Sequence, residues 1–161
     1  MEDKSVNLGS FAKYVEITPT EIKDAYKRAF SISWLDSILD WLGRGVFRLT
    51  NLNYNQLNWD EVAEIIAIDQ SDQMEWVYNE NEKYTCDDFA FALMGALHRY
   101  KTTAAMPIFK TWITMIAGGH AVVSFYDGEQ VFIVEPQTDE IMTIEEATDK
   151  YGSMTLNLLN G

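Results

Sequence analysis

The single cysteine of this chain, Cys86, occupies a position that would suit a reactive thiol. It follows Thr85 in the segment Tyr84-Thr85-Cys86-Asp87-Asp88, which has the composition of a helix start. A thiol attacks as its thiolate, and the unpaired N–H groups at a helix N-terminus stabilise negative charge. We therefore predict a nucleophilic cysteine at the first residue of a helix, with its own backbone N–H as an oxyanion donor.

Two other residues have the chemistry to act with this thiol. His120 opens a strand-like run, and Glu135 closes the next one. Asp127-Gly128 lies between the two runs and is a strong signal for a two-residue hairpin turn. His120 lies seven residues before Asp127 and Glu135 seven after Gly128, so such a turn would bring them side by side. We predict a catalytic triad in which His120 is the base and Glu135 orients it.

The elements that must position these residues change in character along the chain. The first half has capping signals and helical spacing, whereas the second has β-branched and aromatic runs. We predict an α+β class and one domain over residues 1–161, helical over about 1–100 and a sheet over about 106–161. The predicted helices are Thr18 to about Ser31, Trp34 to Gly43, 59–68, Cys86–Arg99 and a short one ending near Gly152. The predicted strands are Ile108–Ile116, His120–Tyr126 and Gln130–Glu135.

Simpler interpretations compete with the triad. A lone cysteine is most often a small core residue, and a histidine at the start of a strand is usually structural. The other histidine, His98, is near the end of the predicted helix, where a cation favours the helix dipole, and we interpret it as structural. A second oxyanion donor would come from the segment before Cys86, where Gln73, Asn79 and Asn81 are candidates that the sequence does not separate.

The carboxylates of Asp87 and Asp88 oppose the formation of a thiolate beside them. A hard cation would offset their charge, because carboxylate, amide and carbonyl oxygens are typical calcium ligands. The stretch Glu135–Glu140 supplies more oxygen ligands near the same predicted site. We therefore predict calcium as a cofactor, although no cation-loop motif of fixed spacing is present.

The composition limits the classes of partner. The chain has 161 residues, a net charge of −13 and 12 scattered Lys and Arg residues, which disfavours nucleic acid and anionic membranes as partners. One cysteine cannot form an internal disulfide. No 18-residue apolar stretch and no basic leader sequence are present, so we expect a cytoplasmic protein or one that a phage makes inside its host.

Three motifs carry a resemblance to a known family. The segments Cys86–Ala90, Gly119–Val123 and Val134–Thr138 resemble the papain-like, calcium-dependent cysteine protease domain of the mushroom agglutinin type. More broadly they resemble papain-like and transglutaminase-like thiol enzymes. The resemblance covers roughly residues 70–150. It implies N-terminal helices and a nucleophile-bearing helix packed on a small antiparallel sheet.

The resemblance also implies site residues and a ligand class. It assigns the triad to Cys86, His120 and Glu135, and it implies a protein or peptide substrate. The calcium ligands that it implies are Asp87, Asp88, Gln137 and Asp139. The agglutinin carries a sugar-binding β-trefoil ahead of this domain, whereas residues 1–70 here are too short and too helical for one. The resemblance therefore does not imply carbohydrate binding.

Three functions follow from this interpretation. The first is a thiol hydrolase that cleaves peptide or isopeptide bonds with the help of calcium. The second is transglutaminase-like amine transfer, which shares the acyl-enzyme and differs in the final acceptor. The third is a non-catalytic binding protein that keeps the fold, such as a phage factor that sequesters a host protein. In that case exposed aromatic residues would form the contacts, with Trp34, Trp41, Trp59 and Trp76 as candidates.

Overall fold

The structure, a computed structural model, describes residues 15–33, 46–70, 85–100 and 106–161. The helix predicted from Trp34 to Gly43 falls outside these residues. The same is true of the donor candidates Gln73, Asn79 and Asn81 and of the tryptophans Trp34, Trp41 and Trp76.

The helices of the described residues begin where capping side chains predict. At Thr18 the hydroxyl accepts a hydrogen bond from the Glu21 N–H, and the Glu21 carboxylate accepts one from the Thr18 N–H. The same reciprocal pattern occurs at Asn58 and Thr143. The predicted helices in the described part are confirmed to within about two residues at each end. Their bounds are α1 Pro19–Ala29, α2 Trp59–Ile68, α3 Cys86–Tyr100 and α4 Ile144–Tyr151. None of these helices has the length and apolar character needed to cross a membrane.

A six-stranded sheet forms the centre of the protein. Its strand order is β2-β8-β4-β5-β6-β7, and all neighbours are antiparallel except the parallel pair β2 and β8. A separate two-stranded sheet pairs β1 with β3. The strands are β1 Glu16–Ile17, β2 Phe47–Arg48, β3 Tyr54–Asn55, β4 Ile108–Met115, β5 Gly118–Tyr126, β6 Val131–Glu135, β7 Glu140–Thr143 and β8 Thr155–Asn160.

This sheet corrects the predicted fold class. The papain-like arrangement of helices on a small antiparallel sheet is wrong, because the sheet is mixed and has twice the three predicted strands. Strand β8 lies between β2 and β4, so the last residues of the chain are an interior strand of the sheet. The strands β4, β5 and β6 were predicted from the sequence, whereas β2, β7 and β8 were not.

The predicted hairpin between β5 and β6 is correct in topology but wrong in register. Tyr126 pairs with Val131, so four residues connect the strands instead of two. The Asp127 carboxylate accepts hydrogen bonds from two N–H groups of this loop, which stabilises the longer connection. Extending the observed register would place Glu135 opposite Val122. Because the slip is two residues, Glu135 stays on the same face as His120, as its diagonal neighbour.

Both faces of the central strands are buried. Val122 and Ile133 pack with residues of α1 and α4 on one face. Ala121 and Val123 pack with residues of α2 and α3 on the other face. The sheet therefore separates two apolar layers, which explains why β5 and β6 lack the polar alternation of a half-exposed strand.

One buried polar network crosses the first of these layers. The Tyr26 hydroxyl on α1 bonds to the Ser124 hydroxyl at 2.7 Å, and Ser124 bonds in turn to Thr111 at 2.5 Å. All three residues are fully buried. Their mutual bonds satisfy hydroxyl groups that burial would otherwise leave without water.

We expect Tyr26→Phe to lower the free energy of unfolding by about 1 kcal/mol, because it removes one buried hydrogen bond and leaves the ring packing intact. Urea unfolding measures this loss. The control is Tyr126→Phe, which removes a hydroxyl whose partner is the carbonyl of Gly128 at the loop. A larger loss from the control than from Tyr26→Phe would contradict the importance of the network.

Candidate functional site

The structure brings Cys86, His120 and Glu135 together. His120 Nε2 lies 2.8 Å from Glu135 Oε2. Cys86 lies close enough to the His120 ring to contribute to the raised pKa of the imidazole, and its Sγ accepts a bond of 3.4 Å from the N–H of Ala121. We call these three residues, in this order, the thiol row. A thiol, an imidazole and a carboxylate in such an order can transfer a proton or hold a polar ligand.

The protonation of the row follows from its contacts. The hydrogen bond to Glu135 raises the pKa of His120 above its usual value, although partial burial opposes the shift. Burial acts to raise the pKa of Glu135, but hydrogen bonds from His120 and Tyr151 outweigh it and hold the pKa below its usual value. The two side chains are 15% and 7% exposed, so this ion pair is weakly screened by solvent.

Strand and helix geometry explains how the row forms. Cys86 is the first residue of α3, as predicted. The Asp88 carboxylate accepts hydrogen bonds from the backbone N–H and the hydroxyl of Thr85, which fixes the start of the helix. Cys86 packs with the apolar layer of α2 and α3, whereas Tyr151 packs with the opposite layer. The thiol row therefore lies beyond the end of β6, between residues that belong to the two apolar layers.

A lysine supplies the positive charge that the sequence led us to assign to calcium. Lys110 on β4 forms an ion pair with Asp87 at 2.6 Å, and its side chain is 8% exposed. Its ammonium also lies 3.5 Å from the centre of the Phe91 ring, a cation–π distance. The negative charge of Asp87 beside the thiol is thus offset within the protein.

The predicted calcium ligands already have other contacts or lie elsewhere in the fold. Asp87 binds Lys110, and Asp88 caps α3. Gln137 and Asp139 lie in the turn between β6 and β7, where their N–H groups bond to the side chain and the carbonyl of Glu135, respectively. Across the described residues, no group of three or more His, Cys, Asp or Glu side chains is arranged to hold a metal ion. Calcium binding by these residues stays a prediction.

Two residues of the site were not predicted from the sequence. Lys110 lies within the apolar strand Ile108–Met115. A charged residue in a strand whose sequence indicates burial was the pattern that could have identified it. Tyr151 donates a hydrogen bond of 2.6 Å to Glu135 Oε2. Nothing in its local sequence indicates this contact, because it depends on how α4 packs against the sheet.

The fold and the row define a domain with a thiol, an imidazole and a carboxylate near the end of β6 in a mixed six-stranded sheet. No protein-family model matches the chain, and no curated protein does so. Among solved structures, the chain is similar to a complex of PSL1a with E64, with a TM-score of 0.67 and 17% identity over 91% of this chain. It is also similar to a Polyporus squamosus lectin bound to the human-type influenza-binding epitope Neu5Acα2-6Galβ1-4GlcNAc, with a TM-score of 0.62 and 17% identity over 91% of this chain. The chain spans about half of these structures, 51% and 49% of their lengths. The fold is thus shared with part of a mushroom lectin.

These structures also correct the functional prediction. They are described as a lectin and as PSL1a, and no peptidase, hydrolase or transglutaminase is named among them. On this comparison the prediction of a cysteine peptidase is wrong, together with its assignment as an enzyme and the related hydrolase and transglutaminase terms.

We expect Lys110→Met to lower the free energy of unfolding by about 1–3 kcal/mol, because it leaves Asp87 without its cation in a partly buried position. The matched control is Lys150→Met, which removes an exposed ion pair with Glu140 and should cost less than about 1 kcal/mol. Urea unfolding compares the two variants. Equal losses would contradict a special role for Lys110.

A second expectation concerns pH. A raised pKa of His120 stabilises the fold fully below the usual histidine value of 6.5, and this contribution is lost as pH rises through the folded value. A lowered pKa of Glu135 stabilises the fold above the usual value of 4.5 and is lost as pH falls through the folded value. The pair should therefore contribute most between about pH 4.5 and 6.5.

We expect His120→Gln to lower the free energy of unfolding by about 1.5–3 kcal/mol in that window, and by less on either side. Urea unfolding from pH 4 to 9 measures the profile. His98→Gln is the control, because partial desolvation lowers the pKa of His98, so its neutral form is the one that the fold favours. A loss from His120→Gln that does not change with pH would contradict the ion pair.

Proposed function

We propose that this chain is a binding protein and that an extended peptide segment binds beside the thiol row. The observation that carries this proposal is the unequal length of two neighbouring strands. Strand β5 begins at Gly118, but its pairing with β6 covers only Val123–Tyr126. Among the described strands, none pairs with the β6 side of residues 118–122. Such an edge can receive a further strand through main-chain hydrogen bonds.

The direction of the Ala121 N–H identifies the side of β5 on which this edge lies. It points to Cys86 Sγ and therefore away from β4. Because successive residues of a strand alternate in direction, the N–H and C=O of Gly119 should point to this same side. A peptide that pairs with Gly119 would then end against the thiol row.

The two glycines favour the close approach of another backbone. Gly118 and Gly119 are exposed, and no described heavy atom lies within 4 Å of the positions where their Cβ atoms would stand. A side chain at either position would narrow this space. Ile116, 86% exposed at the start of the same turn, offers an apolar contact to the same ligand.

The thiol row would bind the polar part of the ligand in this proposal. His120 is partly exposed and carries a positive charge at mildly acidic pH, so its ring suits a carbonyl or carboxylate oxygen. Cys86 is also partly exposed and can donate through its thiol. Glu135 holds the imidazole without facing the ligand, since it is only 7% exposed.

A sugar is the second candidate ligand. The lectin of similar fold is bound to a sialylated trisaccharide, although this chain spans only about half of that protein. The specific feature here is a cavity of about 400 Å³ in which the Trp59 ring, 44% exposed, lies with Asp69 and Asp139. An amphipathic ring beside carboxylates suits the apolar face and hydroxyl groups of a sugar. This cavity is lined by α2 and the β6–β7 region, so the two candidates use different surfaces.

We expect peptides selected from a displayed random library to bind the wild-type chain and to lose at least tenfold in affinity with Gly119→Pro. Proline removes the edge N–H and blocks strand addition. The glycine control is Gly95→Ala, at a position in α3 with open space around it, and it should bind as the wild type does. Cys86→Ala should retain binding within about tenfold, because the main-chain bonds remain.

Fluorescence polarisation of the labelled peptides measures these affinities, and mass spectrometry of each peptide after incubation tests whether it stays intact. A parallel arm uses Neu5Acα2-6Galβ1-4GlcNAc with the wild type and Trp59→Ala. Equal peptide binding by Gly119→Pro would contradict strand addition. Cleavage of the peptides that disappears in Cys86→Ala would contradict a binding protein, and binding of the trisaccharide alone would favour the Trp59 cavity.

A further inference from the structure

We propose that Tyr151 is a positioning residue for the thiol row, because its hydroxyl and its ring hold Glu135 and His120 in their mutual orientation. Its place in the chain is far from both partners, in the last turn of α4. The functional meaning of this role rests on the proposed ligand site. The positioning role itself rests only on the contacts of Tyr151 with Glu135 and His120.

The first contact fixes the carboxylate. The Tyr151 hydroxyl donates to Glu135 Oε2 at 2.6 Å, and the same oxygen receives His120 Nε2 at 2.8 Å. The other oxygen, Oε1, accepts a long bond of 3.4 Å from the N–H of Gln137. Two strong donors thus meet at one oxygen atom. Their positions determine the direction in which Glu135 faces the imidazole.

The second contact limits the orientation of the imidazole ring. The rings of Tyr151 and His120 have centroids 6.0 Å apart and planes inclined by 60°. Tyr151 therefore lies against the ring and also bonds to its partner. Within the described part of the chain, the titratable groups that face His120 are Cys86, Glu135 and Tyr151, and each comes from a different element.

The end of α4 is itself held in place, which makes the contact reproducible. Lys150 forms an ion pair with Glu140 on β7. The N–H of Gly152 bonds to the carbonyl of Thr148, and Gly152 has a φ of +79°, a backbone conformation that favours glycine. The Tyr151 hydroxyl also stays protonated, because burial and the negative charge of Glu135 raise its pKa. It is a permanent donor over the whole range in which His120 titrates.

Tyr151→Phe tests the proposal, because it keeps the ring and removes only the hydroxyl. Without this donor, the Glu135 carboxylate can turn away from His120, so the midpoint of the His120 titration should move to lower pH, towards the usual histidine value. The chain contains two histidines, so NMR titration of the imidazole signals resolves His120 and uses His98 as an internal reference. Tyr126→Phe removes a hydroxyl elsewhere and should move neither signal.

A second pair of variants keeps the test independent of stability. In a Glu135→Gln background, adding Tyr151→Phe should leave the His120 midpoint unchanged, because the hydroxyl acts through the carboxylate. An unchanged His120 midpoint in the single variant Tyr151→Phe would overturn the proposal, and so would an equal shift in both backgrounds. Peptide affinity measured on the same samples separates the two proposals. A shifted His120 midpoint without any peptide binding would uphold the role of Tyr151 and reject the proposed ligand.

Discussion

The hydrogen bond between His120 Nε2 and Glu135 Oε2 is the interaction on which the rest of the site depends. It joins β5 to β6 beyond the point where their pairing ends, and it raises the pKa of an imidazole in a mostly buried position. Cys86 approaches the ring from the layer of α2 and α3, whereas Tyr151 approaches from the layer of α1 and α4. The row is therefore a link between both halves of the core, and its geometry depends on how each layer packs against the sheet.

The acidic character of the chain makes the local charge balance important. A net charge of −13 would be unfavourable around a thiol that can ionise. The structure separates the two carboxylates that follow Cys86 into different roles. Asp87 is neutralised by Lys110, and Asp88 accepts the backbone and hydroxyl donors of Thr85 at the helix start. An internal ammonium thus offsets the carboxylate beside the thiol.

Sequence patterns predicted the local structure well and the long-range structure less well. Capping residues correctly predicted the start of α3, and apolar runs correctly predicted β4, β5 and β6, because both signals depend on residues that are close together in the chain. The hairpin register was wrong by two residues, since Asp127 stabilises a four-residue loop. Strand β8 was missed because its partners β2 and β4 are distant in the chain. Tyr151 was missed for the same reason, whereas the charge of Lys110 within an apolar strand was a local signal. The papain-like class and the peptidase function inferred from three motifs proved wrong.

The most direct test of this account is a double-mutant cycle in which the reactivity of the Cys86 thiol is measured. The rate of Cys86 alkylation by iodoacetamide is measured at pH 6 for the wild type, Glu135→Gln, His120→Ala and the double variant. The account predicts that Glu135→Gln slows alkylation when His120 is present and has no further effect in the His120→Ala background, because the carboxylate acts only through the imidazole. Equal slowing in both backgrounds, or none in either, would contradict an effect of Glu135 on Cys86 through His120.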